Sequence, residues 1–288
     1  MSGFKVRTDL ALEARENIED ADGELRGVRV EEYYKEGNEV KVTKVVIDTM
    51  NAAKAMRKPI GTYITLEAPA MPEPDEDYHR EISIELSGQL QDIIPKMKEE
   101  QSILVVGLGN RDVTADALGP NVVDNLQITR HVVKEYGKAA YNKEKMHMVS
   151  SIVPGVMAKT GMETVEIVKG VIEQTNPDVA IVVDALAARS TKRLNRTIQI
   201  TNTGIHPGSG VGNHRGALTE ESLGIPVIAI GVPTVVDAAT IVSDAVGNET
   251  IGRLSELNNM YVTSKDIDET VKRLSYTISE AINIALAM

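Results

Sequence analysis

Three aliphatic runs constrain this chain more than any other feature: SILVVGLGN from Ser102, DVAIVVDALA from Asp178 and IPVIAIGVP from Ile225. Each is apolar at successive rather than alternate positions, so each must be buried on both faces. Strands of that kind sit inside a parallel sheet with helices packed on either side. The spacing predicts further strands at KVTKVVIDTM, TYITLEAP, HMVSSIVPG and RTIQITNTG. It predicts helices over 50–57, 82–100, 115–137, 156–174, 235–245 and 267–288, and a helix starting at LALEAREN. The rest of residues 1–40 reads as turns and short strands, and APAMPEPDEDYHR as a surface loop. Aliphatic strands alternating with helices predict an α/β fold around a mostly parallel sheet covered on both faces. With 288 residues the chain can form one large domain or two small ones. It has no Trp and one Phe, so its core must be built from Val, Ile, Leu, Ala and Met.

Composition also narrows the chemistry. A formal net charge of −11 opposes direct contact with nucleic-acid phosphates or anionic lipid. The absence of cysteine removes disulfides, thiolate metal sites and cysteine nucleophiles together. No apolar run approaches the roughly 18 residues of a membrane helix, and MSGFKVRTDL lacks a signal-peptide core. The expectation is a soluble, cytoplasmic protein.

Sites in open α/β sheets form where strands end and loops splay apart. Three such ends carry polar groups: GLGNRDVTAD, DALAARS and the loop IHPGSGVGNHRG. Gly107 and Gly109 follow a strand, but a dinucleotide fingerprint needs glycine where Asp112 stands, and no GK[ST] follows. The glycines instead permit a tight turn that aims Asn110 and Asp116 across the sheet edge. Asp116 either complements a helix dipole or serves the site. Asp184 ends the run VAIVVD, where a carboxylate needs a partner, whether as a bonded core acid or as a catalytic one. Two carboxylates meeting at one edge can divide roles, one as base toward water and one as acid. There is no GxSxG around Ser209 and no HExxH. His206 and His214 flank the glycine-rich loop, either as surface residues or as carbonyl or metal ligands.

The strings VRTDLALEARE, GLGNRDVTADALGP, SSIVPGVMAKTGMET, VVDALAARS, NTGIHPGSGVGN and IPVIAIGVPTVVDA resemble, in order and over nearly the whole chain, the spore germination protease family. The resemblance implies an endopeptidase that degrades the small acid-soluble proteins coating spore DNA, acting in the spore core as a homotetramer. It implies a three-layer αβα fold similar to the hydrogenase-maturation endopeptidases. By motif it maps the active-site acids of that group onto Asp116 and Asp184. The related peptidases add a histidine and a metal ion, for which His206 is the counterpart in an alternative, metal-assisted reading; no metal or cofactor is assigned here. The family is made as a zymogen, which implies that residues 1–9 are a propeptide removed by cutting between Asp9 and Leu10. Residues 10–288 then form a single peptidase domain. Asn110, Arg111, Arg189 and His206 are the expected substrate-binding residues, and Arg111, Arg189, Lys192 and Arg193 could form a basic pocket for an acidic side chain beside the cut bond. A nucleotide-type hydrolase and a non-catalytic spore-protein-binding protein are the rival readings.

Overall fold

The computed structural model describes residues 8–22, 26–35, 39–97, 99–141, 146–206, 216–246, 257 and 260–287. Nine strands among the described residues form one sheet. They are β1 Val28–Tyr34, β2 Lys41–Ile47, β3 Gly61–Glu67, β4 Ser102–Gly107, β5 Met148–Ile152, β6 Val179–Ala188, β7 Thr197–Thr201, β8 Val227–Asp237 and β9 Tyr261–Val262. Their order is β1-β2-β3-β7-β8-β6-β4-β5, with β9 paired to β8. The three aliphatic runs become β4, β6 and β8, adjacent and parallel, and β5 runs parallel to β4. On the other side of β8 the sheet continues antiparallel through β7, β3, β2 and β1.

The helices are α1 Ala11–Asp22, α2 Met50–Met56, α3 Glu76–Ile93, α4 Leu118–Asp124, α5 Arg130–Tyr136, α6 Met157–Thr160, α7 Thr164–Thr175, α8 Glu220–Leu223, α9 Ala238–Val246 and α10 Ile267–Ala285. Successive side chains of a strand point to opposite faces, and β4 and β6 feed two cores accordingly. Ile103, Val105, Ile181 and Val183 pack with Leu86 of α3, Leu118 of α4 and Leu274 of α10. Leu104, Val106, Ala180 and Val182 pack with Val168 of α7 and Leu223 of α8. Farther along that second face, Ala11 and Met56 of α1 and α2 cover Val45, Ile47 and Tyr63. The result is the three-layer αβα arrangement, its sheet parallel where it is buried deepest.

Four expected helices differ in extent. The segment 115–137 is not continuous: a 3₁₀ turn, Thr114–Asp116, precedes α4, and α5 begins only at Arg130. The gap is tied to β5, where the Thr129 hydroxyl donates to His147 O at 2.8 Å and accepts from Val149 N at 2.9 Å. An unbroken helix could not make that attachment. The segment 156–174 divides at Gly161, whose φ is 72°, and α7 restarts on a capping box between Glu163 and Glu166. Helix α3 starts earlier than expected because Asp75 caps it, accepting from Tyr78 N at 3.0 Å, and it ends ahead of Pro95. Strand β8 runs on to Asp237, whose carboxylate then accepts from Thr240 N at 2.9 Å to start α9. Among the described residues no helix is long and apolar enough to cross a membrane.

Candidate active site

Two strand ends meet through glycines. An added Cβ at Gly107 would lie 2.3 Å from Gly119 O, and one at Gly119 would lie 2.4 Å from Leu108 O and 2.5 Å from Val183 O. No side chain fits there, so the start of α4 seats directly on the ends of β4 and β6, and Leu108 N donates to Val183 O at 2.8 Å. Gly109 has φ +118° and lies so close to the following turn that its Cβ would sit 1.9 Å from Asp116 O. The turn closes with Asn110 N donating to Asp116 O at 2.9 Å, and the Thr234 hydroxyl of β8 donates to Ala115 O at 2.6 Å. Asp116 is thereby carried to the end of β6, where Asp184 is only 6% exposed and accepts from Ala185 N at 2.9 Å. Both aspartates line one cavity of about 320 Å³, together with Thr164, Thr234, Tyr261 and Asp9.

Asp9 belongs to a strap laid across the end of β6. Its N–H donates to Ala187 O at 3.1 Å, and its carboxylate accepts from Ala187 N at 3.0 Å. The pairing of β4 with β6 ends at Val183, and the β6–β8 register shifts between Leu186 and Ala187. Leu10 is fully buried against Leu186, Ala188 and Val236. Glu13 anchors the strap from the other side, accepting from Arg189 N at 2.8 Å and Ser190 N at 3.0 Å, with Arg193 3.5 Å away and the Thr8 hydroxyl also bonded. Residues 8–13 are therefore built into the molecule rather than frayed. Glu13→Ala would leave two backbone donors and Arg193 facing an empty acceptor site. We expect it to lower stability by about 2–3 kcal/mol, read by denaturant unfolding, and to speed proteolytic nicking of the N-terminus; an unchanged midpoint would refute the anchoring role.

The expected substrate-binding residues do not all reach the aspartates. Asn110 shapes the turn, its side-chain oxygen accepting from Asp112 N at 3.1 Å. Arg111 pairs with Asp124 through contacts of 2.5 and 2.8 Å. Arg193 is engaged by Glu16 and Glu67, besides Glu13. Arg189 meets the strap through its backbone N–H. His206 lines a smaller neighbouring cavity of about 70 Å³, which shares Asp9 and Leu186 with the larger one and is also lined by Lys58, Tyr63 and Gln199. Ser209 and His214 lie outside the described residues. Among the described residues no group of three or more His, Asp or Glu side chains is placed to hold a metal ion.

Burial dominates the electrostatics of the smaller cavity. It pulls the Lys58 ammonium below the ordinary lysine value, opposed by the nearby charges of Asp9 and Glu13. It pushes the Tyr63 hydroxyl up to about 12. Neither Lys58 nor Gln199 is marked by any sequence motif; the one available signal, a lysine before proline in RKPIG, reads as an ordinary exposed turn.

The family model described as germination protease matches residues 6–253. A germination protease of Caldanaerobacter subterraneus subsp. tengcongensis is 44% identical over 98% of this chain and 94% of its own length. One from Clostridium perfringens is 43% identical over 98% of this chain and 95% of its own. One from Bacillus cytotoxicus is 47% identical over 85% of this chain and 67% of its own. Among solved structures, the [NiFe] hydrogenase maturation protease HycI from Thermococcus kodakarensis KOD1 aligns over 67% of this chain and 98% of its own, with 19% identity and a TM-score of 0.35. With a family model spanning most of its length and relatives above 40% identity along nearly all of it, this chain belongs to the germination protease family, a family of peptidases.

Proposed function

We propose that this peptidase is an endopeptidase of small acid-soluble spore proteins, that it hydrolyses peptide bonds with Asp116 and Asp184, and that it is made as a zymogen cut between Asp9 and Leu10. The observation that carries the reading is the cavity lined by both aspartates and by Asp9 of the chain's own strap. Asp184 takes a proton from water as the water oxygen bonds to the peptide carbonyl carbon. Asp116 gives a proton to the amide nitrogen as the C–N bond breaks. One water is consumed, and a carboxyl and an amine are formed; the pair then exchanges its proton. Ala185 N–H fixes one Asp184 oxygen, so the carboxylate keeps its aim through the cycle.

Spore proteins of this class are extended when free of DNA, and an extended backbone can lie along the end of β6 as residues 8–10 do. A net charge of −11 suits an enzyme that takes proteins released from DNA rather than DNA itself. Assembly as a homotetramer and residence in the spore core complete the reading. Incubation of the folded chain with a small acid-soluble spore protein, followed by intact mass, is expected to yield discrete fragments. A substrate that binds but stays whole would move the assignment to a binding protein.

A further inference from the structure

We propose that Lys58 and Gln199 are the groups that receive the carbonyl oxygen of the peptide bond being cut, and that the chain's own Asp9 carbonyl already occupies their site. This rests on the zymogen reading above and adds residues, besides the aspartates, that act on the bond.

The carbonyl oxygen of Asp9 accepts from Lys58 Nζ at 2.6 Å and from Gln199 Nε2 at 3.3 Å. It belongs to the peptide bond that joins Asp9 to Leu10, and Asp9 lines both the aspartate cavity and the Lys58 cavity. The same Gln199 side chain accepts from Ala11 N at 2.7 Å through Oε1. One carboxamide therefore grips the backbone on both sides of that bond. Neither contact uses a side chain of the strap, so the arrangement would hold any extended peptide in the same register.

Lys58 is half-buried, and burial lowers its pKa against the opposing charges of Asp9 and Glu13. Attack by water moves negative charge onto the carbonyl oxygen. Lys58 Nζ and an amide N–H aimed at that oxygen then gain more than they do against the neutral carbonyl, which is the condition for accelerating the step. The balance is that of ordinary hydrolysis: the oxygen's added charge returns to the carbonyl as the C–N bond breaks.

The test follows loss of residues 1–9 from the full-length chain by intact mass, in wild type, Lys58→Met, Lys58→Arg, Gln199→Glu and Asp184→Asn, with thermal midpoints for each. Lys58→Met is expected to slow self-cleavage about 10²–10³-fold, the usual effect of removing one such donor, at an unchanged or raised midpoint. Lys58→Arg should recover part of that loss. Gln199→Glu keeps an acceptor for Ala11 N but loses the donor, and should slow cleavage while the strap stays anchored. Self-cleavage of Lys58→Met or Gln199→Glu at the wild-type rate would overturn the proposal and leave the zymogen reading standing. A wild-type chain that cuts a spore protein yet never loses residues 1–9 would overturn the zymogen reading, and this inference with it.

Discussion

Asp116→Asn is expected to lower turnover on a protein substrate by about 10²–10⁴-fold, the range for loss of a positioned acid or base, while leaving the melting midpoint nearly unchanged. The substitution keeps the shape of the side chain. The turn that carries Asp116 is held by backbone bonds, Asn110 N to Asp116 O and Asp116 N to Val113 O, at 2.9 and 2.8 Å. On the proposal that the two aspartates serve one proton relay, adding Asp184→Asn to Asp116→Asn should cost little beyond the first loss. Multiplicative losses would mean that the two act independently. Burst-free steady-state kinetics on one substrate protein, with the double variant alongside both singles, separates the cases.

Gly109→Ala is expected to disable the enzyme without touching either aspartate. Its φ of +118° is a conformation that L residues rarely adopt, and the methyl would sit 1.9 Å from Asp116 O and 3.3 Å from Asp116 Oδ1. The obstruction is backbone, so it cannot rotate away; the turn must shift and carry Asp116 with it. Overpacking of this kind costs about 1–3 kcal/mol, and a displacement near 1 Å at a catalytic group lowers rate on the order of 10²-fold. Gly170 within α7 is the internal control, since a Cβ there meets nothing within 4 Å. Gly170→Ala should keep full activity and gain about 0.5–1 kcal/mol from helix propensity. A Gly109→Ala enzyme as active as the Gly170→Ala enzyme would show that the Gly109 turn does not position Asp116.

The contrast between these two glycines reflects what the sequence could and could not reveal. Strands β4, β6 and β8 were legible because continuous aliphatic runs have one stable home, the middle of a covered parallel sheet. That Asp116 and Asp184 line one cavity was legible for the related reason that they follow such strands, at the edge where an α/β sheet opens its loops. The antiparallel extension was not, because β2 and β3 show the same apolar pattern whichever way their neighbours run. The break between α4 and α5 was hidden as well: apolar spacing continues across it, and the cause is a hydroxyl on Thr129 that reaches β5. Lys58 and Gln199 were the least legible of all. Their role follows from contacts with Asp9 and Ala11, far away along the chain, and no local pattern encodes a partner at that separation. Arg111 shows the converse, since its place in the loop beside Asp116 drew attention while its guanidinium turns to Asp124.

The paired-aspartate account meets its most direct test in Asp184→Asn. Intact-mass spectra of a small acid-soluble spore protein would be recorded after incubation with equal amounts of wild type and this variant, both shown to be folded by their melting midpoints. The expected result is discrete fragments with wild type and whole substrate with Asp184→Asn over the same interval. The same fragments from Asp184→Asn at a comparable rate would contradict the assignment of Asp184 to the chemistry.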